Sequence, residues 1–215
     1  MSKLAHALTL AFLLLGCTAL FAQEFSADMI DTREGKPANS GKIFVGKTKI
    51  RFESNREEHG SGIVIFDQAS QHFDVLIPER HIYMEMGQEQ KTPALSRASA
   101  FFRFSNVDNA CPERQKATED AGNPLTTCHK VGEETVNGRA AIKYAGTSSE
   151  GDEGFAWIDR SLRFVIKWQG KNDTMELRNI QEASQPASLF EIPSDYQKFD
   201  MNMMRGMRPQ GAPQR

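Results

Sequence analysis

The pattern that most constrains the fold is a series of short apolar, β-branched and aromatic runs separated by turn residues. About ten such runs follow one another, beginning with EFSADMI at 24–30, and most connections between them are short. Strands joined by short turns pair antiparallel, and one sheet of this size tends to curl. The sequence therefore predicts a mainly β fold, a strongly curved antiparallel sheet.

Turn residues mark where the predicted sheet folds back on itself. Gly46 opens a two-residue turn within KIFVGKTKIRFES, and Asn137-Gly138 is a strong hairpin marker. A tight turn at Arg160 joins GFAWID to LRFVIKWQG. By contrast, DTREGKPANSG at 31–41 is predicted to be a polar loop.

One segment carries a helical signature. TPALSRASAFFRF begins with Thr92 as a cap and Pro93 at the first helical position. Its apolar residues recur at helical spacing, at Leu95, Ala98, Phe101 and Phe102. This amphipathic helix is expected to cover the apolar concave face of the sheet.

The N-terminus predicts export. Residues 1–22 combine Lys3, a short apolar core and small residues, as a signal peptide does. Cleavage after Ala22 is favoured over a lipobox cut before Cys17, which would leave a lipoprotein anchored through that cysteine. The protein is therefore expected in the periplasm or secreted, as a single domain at 23–200 followed by a disordered tail at 201–215.

Cysteine usage fits the same compartment. With Cys17 removed, Cys111 and Cys128 form an even pair, and a disulfide is the expected state in an oxidising environment. The residues between them, which include ERQKATEDAGNPLTT, are polar and are predicted to form a mobile loop. Closing this loop contributes about 3 kcal/mol in the chain-entropy account of disulfides.

The order of several motifs resembles the LolA/LolB-like superfamily of bacterial envelope proteins, nearest to an uncharacterised branch of it. The motifs are KIRFES (49–54), VLIPERHIYMEM (75–86), VNGRAAIKY (136–144), WID (157–159) and SLFEIPSDY (188–196). The resemblance implies an incomplete β-barrel with a helical lid and a hydrophobic cavity, as in carriers of lipoprotein acyl chains. It also implies a latch role for Arg51, at the position of an arginine that bonds backbone carbonyls of the lid. Pairing with a strand carboxylate is the alternative, because the long N-terminal helix of the carriers has no counterpart here.

Aromatic and aliphatic side chains are the candidates for lining that cavity. Filling an ordinary core is the alternative, which periodicity does not distinguish. The candidates are Phe44, Phe52, Ile63, Ile65, Phe73, Val75, Tyr83, Phe101, Trp157, Phe164, Ile166 and Trp168.

Other function classes find little support. Nucleic-acid binding requires a basic face, and a net charge of −2 does not indicate one. The histidines have no metal-ligand spacing, and no nucleophile or phosphate-loop motif is present, so no catalytic residue, metal or cofactor is predicted.

The function expected is an exported, non-enzymatic protein that binds a lipid or a lipoprotein acyl chain, with a lipidated or envelope protein as partner. The alternatives are an envelope interaction module with a filled core, or a copper binder that uses the tail residues Met201, Met203, Met204 and Met207.

Overall fold

A computed structural model describes residues 23–56, 60–87 and 101–199 of the 215-residue chain. The predicted signal peptide with Cys17, the predicted helix up to residue 100 and the methionine-rich tail lie outside the described residues. The strands are β1 (Phe25–Arg33), β2 (Lys36–Val45), β3 (Lys49–Arg56), β4 (Gly60–Asp67), β5 (His72–Ile77), β6 (Ile82–Met86), β7 (Leu125–Val136), β8 (Arg139–Ser148), β9 (Glu153–Asp159), β10 (Val165–Gln169), β11 (Asp173–Glu182) and β12 (Gln197–Lys198).

All twelve described strands belong to one open sheet. Its order is β12-β6-β5-β4-β3-β2-β1-β11-β10-β9-β8-β7, and every pair is antiparallel except β12 with β6. The first strand, β1, lies in the middle of the sheet between β2 and β11. The two end strands, β12 and β7, do not pair with each other, so the sheet is not closed into a barrel. The predicted mainly β, antiparallel fold class is confirmed.

The hairpin turns follow the sequence signals in two places and contradict them in one. Asn137 and Gly138 both have positive φ and join β7 to β8, as predicted. The β2–β3 hairpin forms where the sequence predicted it, but its turn is one residue later: a 2.9 Å hydrogen bond from the Gly46 amide to the Lys49 carbonyl encloses Lys47 and Thr48. The predicted polar loop at 31–41 is wrong, because β1 and β2 continue through it to a tight turn at Glu34 and Gly35, with φ of 52° and 74°.

A helix, α1 (Cys111–Asp120), occupies the place of the predicted mobile loop, which is therefore also wrong. Pro112 lies in its first turn, where the missing amide hydrogen is not needed. The predicted disulfide is present: Cys111 in α1 is bonded to Cys128 in β7, with their Cα atoms 5.6 Å apart. The disulfide thus attaches α1 to the strand at one end of the sheet.

The segment before α1 covers a small core of its own. Phe104 and Ala110 pack there against β8 and β9 residues, in a buried cluster completed by Ile142, Tyr144 and Ile158. The Tyr144 hydroxyl donates to the Val107 carbonyl at 2.8 Å and accepts from the Ala110 amide at 3.2 Å. Phe101 to Phe104, the end of the predicted helical segment, are not helical. In the part of the chain that the structure describes, no helix has the length and apolar character needed to cross a membrane.

Candidate ligand-binding face

One face of β1 to β6 is apolar and is ordered in rows that cross the strands. The innermost row is closed to solvent, with exposed fractions of 0–9%. Each member is the registered partner of the next on the neighbouring strand: Phe25, Val45, Ile50, Phe66, Phe73 and Met86. This row therefore belongs to the closed core of the protein.

The next row opens toward solvent as it crosses the sheet. It begins with Ala27 and Ile43, which are 5% and 0% exposed, and continues through Phe52 at 9%. Its last three members, Val64, Val75 and Met84, are only half-buried although they lie in register on three adjacent strands. We call Phe52, Val64, Val75 and Met84 the apolar floor.

Beyond the apolar floor, the outer row carries small side chains. Gly41, Ser54 and Gly62 are cross-strand partners on β2, β3 and β4. Gly41 is required by packing, since a Cβ atom there would lie 2.2 Å from the Glu53 carbonyl oxygen. Phe52 and Val64 are therefore bordered on this side by small side chains, while Ile77 and Ile82 continue the row beside Val75 and Met84.

A chain of aromatic rings closes the inner side of the floor. Phe101 lies 5.4 Å from Phe52 and 5.8 Å from Phe164, measured between ring centroids. Phe164 in turn meets Phe25 edge-on at 5.2 Å. Edge-on and offset contacts of this kind are favourable beyond the area they bury, so Phe101 is positioned as a side wall between the floor and the closed core.

The structure separates the predicted cavity residues into two groups and leaves Trp168 outside both. Seven of them belong to the cluster that contains the apolar floor: Phe52, Phe73, Val75, Phe101, Trp157, Phe164 and Ile166. Four others lie on the opposite face of the sheet: Phe44, Ile63, Ile65 and Tyr83. Trp168 is 38% exposed. The sequence missed Val64 and Met84, although the register of β4, β5 and β6 places them beside Val75.

The opposite face of β3 to β6 is covered by the C-terminal segment of the described chain. A 3-10 turn at Ala187–Phe190 packs Leu189 and Phe190 on this face, and Tyr196 follows. β12 then pairs with β6, with the Phe199 amide donating to the Tyr83 carbonyl at 2.8 Å. We call residues 186–199 the C-terminal strap.

Arg51 is the residue for which a latch role was predicted, and it has both kinds of partner that were considered. Its Nε donates to the Glu53 carboxylate at 2.7 Å, and its Nη1 donates to the Leu189 carbonyl at 2.9 Å. The carbonyl belongs to the C-terminal strap and not to a helical lid. Its role in retaining a lid stays a prediction.

Asp74 is a half-buried carboxylate on β5, between Ile65 of β4 and Glu85 of β6. Burial raises the pKa of its carboxyl, as does the charge of Glu85, while His72 and Lys49 act in the opposite direction. Because the folded-state pKa is raised, the ionised carboxylate destabilises the fold at neutral pH. That penalty falls as the pH drops through the folded-state pKa, and it is gone below the ordinary value of 3.8.

We therefore expect Asp74→Asn to unfold at a higher urea concentration than the wild type at neutral pH. The difference in urea midpoint between Asp74→Asn and the wild type should shrink as the pH is lowered toward 3.8. Urea unfolding at a series of pH values measures it, with Asp152→Asn as a control on an exposed carboxylate. A gain that stays constant with pH would show that the charge of Asp74 is not its source.

Two lysines and a glutamate surround Trp157 on β9, toward the β7 end of the sheet. The Lys143 and Lys167 ammonium nitrogens lie 4.9 Å and 4.8 Å from its ring centroid. The indole Nε1 donates to Glu134 at 2.6 Å, and this bond, with that from Lys143, lowers the pKa of the Glu134 carboxyl. The positive charges of the two lysines are thus partly balanced by the Glu134 carboxylate. Elsewhere, too, the described residues contain no group of three His, Cys, Asp or Glu side chains arranged for a metal ion.

Comparisons with solved structures show the fold and nothing finer. An uncharacterised conserved protein from Thermus thermophilus matches with a TM-score of 0.53 and 9% identity, over 83% of this chain and 90% of that one. The MucA/MucB complex of Pseudomonas aeruginosa matches with a TM-score of 0.48 and 13% identity over 81% of this chain, which spans only 57% of the matched chain. A putative outer membrane lipoprotein-sorting protein domain from Vibrio parahaemolyticus has a TM-score of 0.31 and 8% identity, over 75% and 86% of the two chains.

No family model matches the sequence, and no curated protein matches it. The fold assignment therefore rests on the open twelve-stranded sheet of the described residues and on its likeness to the Thermus protein. The large, open antiparallel sheet agrees with the fold class that the sequence predicted.

Proposed function

We propose that this chain is a non-enzymatic binder of a hydrophobic ligand, a lipid or the acyl chain of a lipidated protein, in an exported compartment. The observation that carries the proposal is the apolar floor. Val64, Val75 and Met84 remain half-buried on a face whose inner row is closed to solvent. Partly exposed apolar side chains in a contiguous row are typical of a surface that buries another apolar group.

The chemistry of the floor suits an acyl chain. Its members are aliphatic or aromatic, and Met84 adds a flexible thioether that adapts to ligands of different shape. Burying about ten methylene groups would contribute about 8 kcal/mol at about 0.8 kcal/mol each. That is the scale of a micromolar dissociation constant before the entropic costs of association.

The disulfide supports the proposed compartment. Cys111 and Cys128 are bonded in the folded protein, and such bonds persist in the periplasm and outside the cell. Signal cleavage after Ala22, with loss of Cys17, remains part of this proposal. The mass of the mature protein purified from its own cell envelope distinguishes it from a lipoprotein.

Val75→Glu is expected to weaken binding at least tenfold, because it places a carboxylate in the middle of the apolar floor. The measurement is a fluorescence titration with N-phenyl-1-naphthylamine, followed by displacement with palmitate. Ile63→Glu is the matched control, since Ile63 is also half-buried on a neighbouring strand but faces the C-terminal strap. Thermal unfolding of both variants verifies that they fold.

A second titration tests whether binding of a lipidated peptide depends on its acyl chains. A diacylated peptide is compared with the same peptide lacking acyl chains, and only the first should displace the probe. Equal binding by the Val75→Glu and Ile63→Glu variants would contradict the assignment of the floor. Absence of any binding by the wild type would favour an interaction module with a filled core.

A further inference from the structure

A buried arginine lies beside the disulfide. Arg114 in α1 is only 8% exposed, and its Nη1 lies 3.9 Å from the Cys128 Sγ. Its guanidinium carbon lies 6.0 Å from the centroid of the Tyr144 ring. Burial lowers the pKa of Arg114 to about 10, so the side chain remains a cation at neutral pH.

Among the described residues, no carboxylate forms an ion pair with Arg114. Of these residues, Tyr144 is the one that opposes the effect of burial on the pKa of Arg114. A buried charge without an opposite charge is costly, so the site favours any anion that forms next to it. The Cys128 sulfur, which lies within contact distance of the guanidinium, becomes an anion when the disulfide is reduced.

The other sulfur also lies where an anion is stabilised. Cys111 is the first residue of α1, a helix of ten residues. Helix N-termini and neighbouring arginines both favour the thiolate form of cysteine. Both cysteines are partly accessible to solvent, as attack by an external thiol requires.

We propose that the Cys111–Cys128 disulfide is an exchangeable redox site, reduced by an external dithiol, in addition to being a crosslink. The two positive environments stabilise the reduced form more than the oxidised form. A disulfide whose reduced state is stabilised in this way is a stronger oxidant than a purely structural one. This inference does not depend on the ligand-binding face.

The reaction consists of two thiol–disulfide exchanges. A thiolate of the reductant attacks the Cys111 Sγ, a mixed disulfide forms, and the Cys111–Cys128 bond breaks. The electron pair of that bond leaves with the Cys128 sulfur, whose thiolate lies beside Arg114. The second thiol of the reductant loses its proton to solvent and attacks its own half of the mixed disulfide, which releases the Cys111 thiolate. The reductant is oxidised by two electrons to its disulfide.

Reduction would remove the covalent link between α1 and β7 while leaving the adjoining core in place. The Tyr144 hydroxyl still binds the Val107 carbonyl and the Ala110 amide in the segment before α1. The change is therefore confined to α1 at the β7 end of the sheet. A folded, reduced protein is the expected product.

The first test is a redox equilibrium of the full chain in glutathione buffers at neutral pH, with the reduced fraction read by maleimide-polyethylene glycol gel shift. Arg114→Met should shift the equilibrium at least tenfold toward the disulfide, equivalent to about 30 mV for two electrons. Arg114→Lys should shift it less, because it keeps the charge. Arg178→Met, at an exposed arginine far from the disulfide in the sheet order, is the control and should not shift it.

The second test measures the thiolate directly. In Cys111→Ser, the ultraviolet absorbance of the Cys128 thiolate should titrate below the ordinary cysteine pKa of about 8.5, and adding Arg114→Met should raise the midpoint. If Cys111→Ser does not fold, iodoacetamide rates against pH on the reduced wild type, resolved by mass spectrometry, give the same quantity. Identical redox equilibria for wild type and Arg114→Met, or a Cys128 midpoint at or above about 8.5, would overturn the proposal.

Discussion

Phe164→Ala is expected to lower the free energy of unfolding by about 3–5 kcal/mol. Phe164 is 0% exposed, and its ring contacts both Phe25 and Phe101. Alanine would leave a cavity at the junction of the closed core with the side wall of the apolar floor. The loss of packing energy on both sides makes this the largest effect anticipated for a single truncation.

Urea unfolding monitored by circular dichroism measures the loss. Trp168→Ala is a suitable control, since it also removes a large aromatic side chain, but one that is 38% exposed on β10. Its cost should be well below that of Phe164→Ala. Equal losses in the free energy of unfolding for the two variants would show that the contacts of Phe164 with Phe25 and Phe101 do not organise the core.

Asp159→Ala is expected to cost about 3 kcal/mol, at the low end of the range for breaking a buried ion pair. Asp159 is 1% exposed and ends β9. Its Oδ1 accepts the Ser161 and Leu162 amides at 2.8 Å each, and its Oδ2 accepts from Arg139 Nε at 2.5 Å. The hydrogen bond to Asp159 is the main reason that the pKa of Arg139 is raised.

Alanine would leave two turn amides without their acceptor and remove one of two carboxylates from Arg139. The other carboxylate is Glu182, which keeps the cost below that of a fully orphaned charge. Asp159→Asn retains an oxygen for the amides and should fall between alanine and wild type in urea unfolding. Glu182→Gln should cost less than about 1 kcal/mol, as partly exposed pairs do. Equal unfolding midpoints for Asp159→Ala and Glu182→Gln would contradict the role given to the buried carboxylate.

The strand pattern was readable from the sequence because β-branched and aromatic runs and turn residues both mark an antiparallel sheet. Asn137-Gly138 lies at a turn with two positive φ angles, and the cysteines bond as expected. The β1–β2 hairpin was missed because its distal half, including Lys36 and Pro37, is polar and exposed. The local sequence signal for a turn at this position was the pair Glu34-Gly35.

The assignment of side chains to faces was beyond the sequence. In β4, four consecutive residues from Ile63 to Phe66 are apolar because each face of this strand contributes to an apolar cluster. A run of this kind has no period of two from which the inward face can be identified. The predicted cavity set therefore mixed Ile63 and Ile65 with Val75, and it omitted Val64.

The helix α1 was hidden for a different reason. Its sequence, CPERQKATED, has no apolar stripe, since the residue that it buries is Arg114. Hydrophobic periodicity does not detect a helix whose inward side chain is a cation held over Tyr144. The disulfide, which was predicted, was the clue that this segment is anchored.

The central position of β1 has a consequence for how the chain acquires its structure. Phe25 at the start of the described chain pairs with Glu182 near its end, so the middle of the sheet forms only after nearly all of the polypeptide is available. Pairings this distant in sequence are slow to form compared with local hairpins. The local hairpins β2 to β6 and β7 to β11 can form earlier, and the pairing of β1 with β11 then joins these two halves into one sheet.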